Sequence, residues 1–250
     1  MISILLNKNY YTYIIFFIVI PKDFNQVNVK LLETLYEQFE YFNITYIKMD
    51  DRYKNAYIAY YFTKSSFFRF SLGELLPNLN KIIYLDSDTI CLADLSNLYN
   101  LNFNGKIVLG QILSKNKSRQ TGNYSINSGV LLLNLDEMRK IQMEKQVLNI
   151  LNNGGKLLDQ DIFNQYFSKY LGLFPPKYNT YLLGYNTLVK FNNGSGSLYD
   201  DDYLYFSFKF PSIRHFAGPK EYLSKQTEWI YFARKSKYFY KLTSNFSHIK

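Results

Sequence analysis

The chain has 250 residues, which suits one medium-sized α/β domain or one domain with an appendage. A hydrophobic fraction of 47% allows a full core, and a formal net charge of +9 suits an anionic ligand or surface. The single cysteine, Cys91, excludes an intramolecular disulfide and fits a reducing compartment; no RNA-binding aromatic motif or basic-helix signature accompanies the charge, which argues against a nucleic-acid partner.

Residues 1–6 read as the last turns of a helix. Residues 13–20 are strongly apolar but too short to span a bilayer, and Pro21 ends them. They lack the flanks of a signal peptide and read as a buried strand. Residues 28–39 place Val29, Leu31, Leu32, Leu35, Tyr36 and Phe39 at helical spacing. Residues 44–49 alternate as a strand. Residues 56–76 contain helical material that carries Arg69, and Pro77 ends it.

Residues 82–85 form a short run of apolar residues, again a buried strand. Asp86 and Asp88 follow at once, and alternation puts both carboxylates on one face at the strand's carboxyl end. In open α/β sheets that edge is where ligands bind. Two carboxylates so close repel each other unless a proton or cation lies between them. A hard divalent ion such as Mn²⁺ or Mg²⁺ would serve, with diphosphate oxygens completing its shell. An ordinary strand-to-turn exit, where Asp and Ser are common, has the same pattern.

Further on, residues 92–98 suggest a short helix and 106–109 a strand. Residues 126–135 put a tight polar turn directly before a buried strand. Residues 137–151 form an amphipathic helix, and Asp159 opens another with a carboxylate suited to a helix amino terminus. Residues 192–197 read as a surface loop. Strands alternating with helices predict an α/β fold with a mostly parallel central sheet flanked by helices.

Taken together and in order, several stretches resemble glycosyltransferase family 8, which includes bacterial lipopolysaccharide galactosyl- and glucosyltransferases and glycogenin. They are Phe67-Phe-Arg69 with Glu74-Leu-Leu-Pro77, Tyr84-Leu-Asp-Ser-Asp88, Asn127-Ser-Gly-Val130 with Asn134-Leu135, Asp159-Gln-Asp161, Tyr178-Asn179, and His215-Phe-Ala-Gly-Pro-Lys220. Trp229 and Ala233-Arg-Lys235 continue the series, so the resemblance spans roughly 1–240.

This resemblance implies a Rossmann-like nucleotide-sugar transferase fold of the GT-A type in a single domain over 1–250. The implied activity is retaining, metal-dependent transfer of glucose or galactose from a UDP-hexose to a saccharide acceptor, in lipopolysaccharide or surface polysaccharide synthesis. Asp86, Asp88 and His215 would bind Mn²⁺ or Mg²⁺. Arg69, Asp86, Ser87, Asn127, Asp159, Gly218 and Lys220 would hold the donor. Gln160 would lie near the anomeric carbon and act in catalysis with Asp159. A cytoplasmic location is implied, and the basic, aromatic tail at 221–250 suits peripheral contact with an anionic membrane.

The chain also departs from the family. Relatives open with a strand bearing an Ala-x-Asp…Tyr pattern that holds uracil and ribose; residues 1–6 resemble the helix after it, so the first strand is expected to be absent and stability and base selectivity low. No carboxylate lies between Asp94 and Asp136, where Gln111 is found, and Glu221-Tyr222 replaces the usual Pro-Trp. Two other readings compete. One is a truncated, inactive relative. The other is a haloacid-dehalogenase-type phosphatase with Asp86-Ser-Asp-Thr89 as its nucleophile motif, although no later Gly-Asp-x-x-x-Asp supports it.

Overall fold

The structure, a computed structural model, describes residues 1–59, 63–114, 124–181, 201–217, 231–232 and 234–235. Helix α1 (Ile2–Asn7) leads into β1 (Ile14–Pro21), α2 (Gln26–Glu33) and β2 (Phe42–Met49). A 3₁₀ segment, Lys64–Ser71, runs on into α3 (Leu72–Leu75) and then β3 (Lys81–Leu85). Next come β4 (Thr89–Cys91), α4 (Ser96–Tyr99), β5 (Val108–Ser114) and β6 (Ser125–Asn134). Helices α5 (Leu135–Lys140), α6 (Met143–Asn152) and α7 (Asp159–Tyr166) precede β7 (Leu171–Leu173), α8 (Asp201–Lys209) and β8 (Ile213–His215).

The α/β class expected from the sequence is present, but the main sheet is mixed rather than mostly parallel. Its order is β3-β6-β5-β7, and β6 runs antiparallel to both neighbours while β5 and β7 are parallel. The reason is the connection. Only residues 115–124 join β5 to β6, too few for the crossover that a parallel neighbour needs. The polar Asn127-Ser-Gly stretch is likewise not a turn before the strand but part of β6, opposite a register break at Gly110/Gln111. The single helix read at 137–151 is two, because Gln142 takes a left-handed φ of 52° between α5 and α6.

Two apolar layers flank the strands. Phe17 and Val19 of β1, Ile82 and Tyr84 of β3, and Leu131 and Leu133 of β6 face one layer, with Phe67, Met138, Val147 and Phe163 from the helical segments. Phe16 and Ile18, Ile83 and Leu85, and Val130 and Leu132 face the other, with Ile4, Leu5 and Leu98. The three strands thus present alternate residues to the same two layers.

They are nonetheless not one sheet. Among the described residues β1 is hydrogen-bonded to β2 alone and β3 to β6 alone. Both strands are apolar on both faces, a pattern suited to a strand with neighbours on each side. Yet Ile15 is 49% exposed and every residue of β3 is only half-buried, whereas β6 is buried from Ser125 to Leu133. No helix among the described residues is long and apolar enough to cross a membrane. Gly218, Lys220, Trp229 and all of the 221–250 tail except 231–232 and 234–235 lie outside the described residues.

Candidate active site

The site forms where β3 ends. Asp86 follows β3 directly, and its backbone N–H donates to the Gly129 carbonyl at 2.8 Å, tying the strand exit to β6. The turn at 86–88 reverses into β4, which pairs antiparallel with β8 so that Thr89 lies opposite His215. The Phe216 N–H then donates to the Asp88 carbonyl at 2.9 Å. That pairing brings His215 to the aspartates. Ligand atoms of Asp86, Asp88 and His215 all lie within 4.8 Å of one another.

The donor set fits a hard divalent cation. Asp86 Oδ1 accepts from Arg69 at 3.0 Å and from the Tyr84 hydroxyl at 2.7 Å, so the second oxygen, Oδ2, is left to face His215. Burial pushes the Asp86 carboxyl up from its ordinary pKa, against the pull of Arg69 and Tyr84. Asp88 Oδ1 sits 3.3 Å from His215 Nε2, and His215 is buried. Two carboxylate oxygens and one imidazole nitrogen make a mixed set suited to Mn²⁺ or Mg²⁺.

Gly129 makes this packing possible. A Cβ at that position would lie 2.7 Å from His215 Nε2 and 2.9 Å from Asp86 Oδ2. Only the bare backbone of glycine lets the imidazole lie this close to β6.

Arg69 lies beneath the site. Its guanidinium, 3% exposed, donates to the Ser66 carbonyl at 2.7 Å and to the Ser128 carbonyl, and pairs with Asp86 and with Asp159 at 3.1 Å. It also stacks on the Tyr84 ring at 4.4 Å. Burial disfavours the charged form of Arg69, but Asp159, then Tyr84 and Asp86, outweigh it and raise its pKa above the ordinary value. Four protein oxygens engage Arg69, and it organises the two carboxylates from below.

Asp159 opens α7 as the sequence suggests, and Asp161 in the same first turn accepts from the Leu158 N–H at 3.2 Å. Asp159 is buried, turned to Arg69, and accepts from the Ser128 hydroxyl at 3.2 Å. Gln160 is half-buried and Ser87 is exposed. Gln160 Oε1 accepts from the Ser128 N–H at 3.1 Å and from Asn127 Nδ2 at 3.3 Å. The structure therefore brings Arg69, Asp86, Asp88, Asn127, Asp159, Gln160 and His215 together, while Gly218 and Lys220 are outside its described residues.

Sequence reasoning assigned no role to three participants: Tyr84, Ser128 and Asn179. The hydroxyl two residues before Asp86 was a usable signal for Tyr84. Asn179 stands in the Tyr178-Asn179 element of the resemblance, which does not by itself indicate the contacts with Asn127 and His215.

Among curated proteins, general stress protein A of Bacillus subtilis is 24% identical over 217 residues, covering 80% of this chain and 72% of the relative. The lipopolysaccharide 1,2-glucosyltransferase of Escherichia coli K12 is 30% identical over 132 residues, covering 47% of this chain and 39% of that protein. Among solved structures, the bifunctional glycosyltransferase WbbM gives a TM-score of 0.69 at 17% identity, over 97% of this chain and 48% of that one. The galactosyltransferase LgtC, in complex with donor and acceptor sugar analogs, gives 0.57 at 18% identity, over 82% and 87%. Both share the fold, which is of the GT-A type. The sequence profile of glycosyl transferase family 8 matches residues 1–220, and that span takes in Asp86, Asp88 and His215 with every strand that positions them; the chain belongs to glycosyl transferase family 8.

Proposed function

We propose that this protein transfers a hexose, glucose or galactose, from a UDP-sugar to a saccharide acceptor hydroxyl with retention, using Mn²⁺ or Mg²⁺. The observation that carries this reading is the convergence of Asp86, Asp88 and His215 within 4.8 Å at the carboxyl end of β3. When bound, the ion supplies Lewis-acid charge for the departing diphosphate. Asp86, Asp88 and His215 would hold it. Arg69 keeps Asp159 and Asp86 in place, and Asn127, Asp159 and Gln160 would meet the sugar hydroxyls in this reading. Ser87, exposed at the turn, would meet the nucleotide in this reading. Likeness to the Escherichia coli lipopolysaccharide 1,2-glucosyltransferase supports an acceptor in lipopolysaccharide or surface polysaccharide.

Donor hydrolysis by the purified protein, with a panel of UDP-sugars and with Mn²⁺ added or chelated, tests the reading. Asp88→Asn is expected to lower Mn²⁺-dependent hydrolysis on the order of 10²-fold or more, since it removes a ligand for charge that stabilises the leaving group. Its metal-free melting temperature is expected to match or exceed that of the parent, because repulsion from Asp86 is relieved. Wild-type turnover in this variant would remove catalysis from the site. The half-exposed edges of β1 and β3 favour a second reading, an inactive relative that binds the ion without turnover. Mn²⁺ binding with no hydrolysis of any UDP-sugar would select it.

A further inference from the structure

The polarity of the buried amides around His215 is set by backbone groups that cannot be reversed. A backbone N–H only donates. The Gly129 N–H points at the Asn127 side chain at 3.0 Å, so the atom there is the carbonyl oxygen Oδ1. The Ser128 N–H points at the Gln160 side chain at 3.1 Å, which fixes Oε1 in the same way. Asn179 meets Asn127 Oδ1 at 2.9 Å. An oxygen that accepts needs a donor, so Asn179 turns its NH₂ to Asn127 and its own Oδ1 to His215. That Oδ1 lies 2.9 Å from His215 Nδ1. An amide oxygen only accepts, so Nδ1 carries the proton.

The neutral ring then has its lone pair on Nε2. This lone pair faces Asp88 Oδ1 across 3.3 Å, acceptor against acceptor. A cation between the two atoms makes that approach favourable. Water cannot easily substitute along the chain, since Asn179 is 0% exposed and His215 4%. The β8 backbone holds the geometry from the other side: the His215 N–H donates to the Thr180 carbonyl at 2.8 Å and the Thr180 N–H to the Ile213 carbonyl at 3.0 Å. At the far end, Gln160 Oε1 accepts twice, from Ser128 and Asn127, so its NH₂ is turned away from both.

We infer that Asn179 is a positioning residue: it carries the polarity of the Asn127–Gly129 backbone to the His215 ring and fixes the tautomer whose Nε2 is free for a divalent cation. The inference rests on the proposed metal site for its purpose, while the tautomer itself is a property of the metal-free protein.

The chain contains two histidines, His215 and His248, so ¹⁵N-labelled imidazoles give a spectrum that a His248→Gln variant assigns. In its neutral form, metal-free His215 is expected as the Nδ1–H tautomer. The Nε2–H tautomer in the unmodified protein would overturn the inference with no variant needed. Asn179→Ala is expected to mix the tautomers and weaken Mn²⁺ binding, read by electron paramagnetic resonance without donor, by about 10–100-fold. Asn179→Asp keeps an acceptor for Nδ1, so tautomer and Mn²⁺ affinity are expected to hold within about threefold or tighten. Its second oxygen opposes Asn127 Oδ1, so KM for the UDP-sugar rises. Mn²⁺ affinity within twofold of wild type in Asn179→Ala, or an equal loss in both variants at unchanged melting temperature, refutes the idea. The expected tautomer without donor hydrolysis would leave the inference standing and sink the transferase reading instead.

Discussion

Gly129→Ala is expected to abolish tight metal binding while changing a single methyl group. The added Cβ would come within 2.7 Å of His215 Nε2 and 2.9 Å of Asp86 Oδ2. Neither neighbour has room to withdraw. His215 is held through Nδ1 by Asn179, and Asp86 is held by Arg69 and Tyr84. The backbone at Gly129 has no positive φ, so the effect arises from contact alone. Overpacking of this kind costs about 1–3 kcal/mol, and here the displaced groups are the proposed ligands. Mn²⁺ affinity is expected to fall on the order of 10²-fold, at least as far as loss of a supporting contact would take it. Gly110→Ala is the matched control. Its Cβ would press on the apolar Ile126 side chain at 2.8 Å, costing stability with Mn²⁺ affinity unchanged. Equal Mn²⁺ affinity in both variants would show that His215 yields freely.

The largest loss of stability is expected from Arg69→Met. The side-chain volume is roughly kept, but the buried carboxylate of Asp159 loses its ion pair and Asp86 loses one of its two donors. Two backbone carbonyls, Ser66 and Ser128, lose their partner as well. Removing one member of a buried charge cluster costs about 3–5 kcal/mol, because the others are left uncompensated. Urea unfolding measures it. The double variant Arg69→Met with Asp159→Asn should recover part of the deficit, since the stranded charge is gone. No recovery would mean that the arginine stabilises through packing on Tyr84 and its carbonyl contacts rather than through charge.

Much of the fold is written in local patterns. The apolar runs at 13–20 and 82–85 form β1 and β3 within a residue or so, and the carboxylates after β3 lie at the sheet edge. Strand direction was less legible, because it depends on the length of the connection and not on the strand's own residues. The break at Gln142 was hidden because apolar spacing continues across it from Met138 to Met143 and Val147. Asp159 and Asp161 both lie in the first turn of α7, and the pairing of Asp159 with Arg69 depends on a residue far away in sequence. The amide chain through Asn179 is of the same kind. Its polarity is local to β6, but its members come from three separate stretches of chain.

The divided sheet also has a kinetic meaning. Backbone amides in β6 are bonded on both sides and buried, so their exchange with solvent hydrogen requires opening of the core. Amides of β1 and β3 outside the ladders to β2 and β6 have no strand partner among the described residues, and faster exchange is expected for them. Among the described residues, the aspartates that follow β3 are thus attached to a strand paired along one side. Slow and fast exchange are expected to meet at the Asp86 N–H, whose bond to the Gly129 carbonyl extends the β3–β6 ladder to the edge of the candidate site.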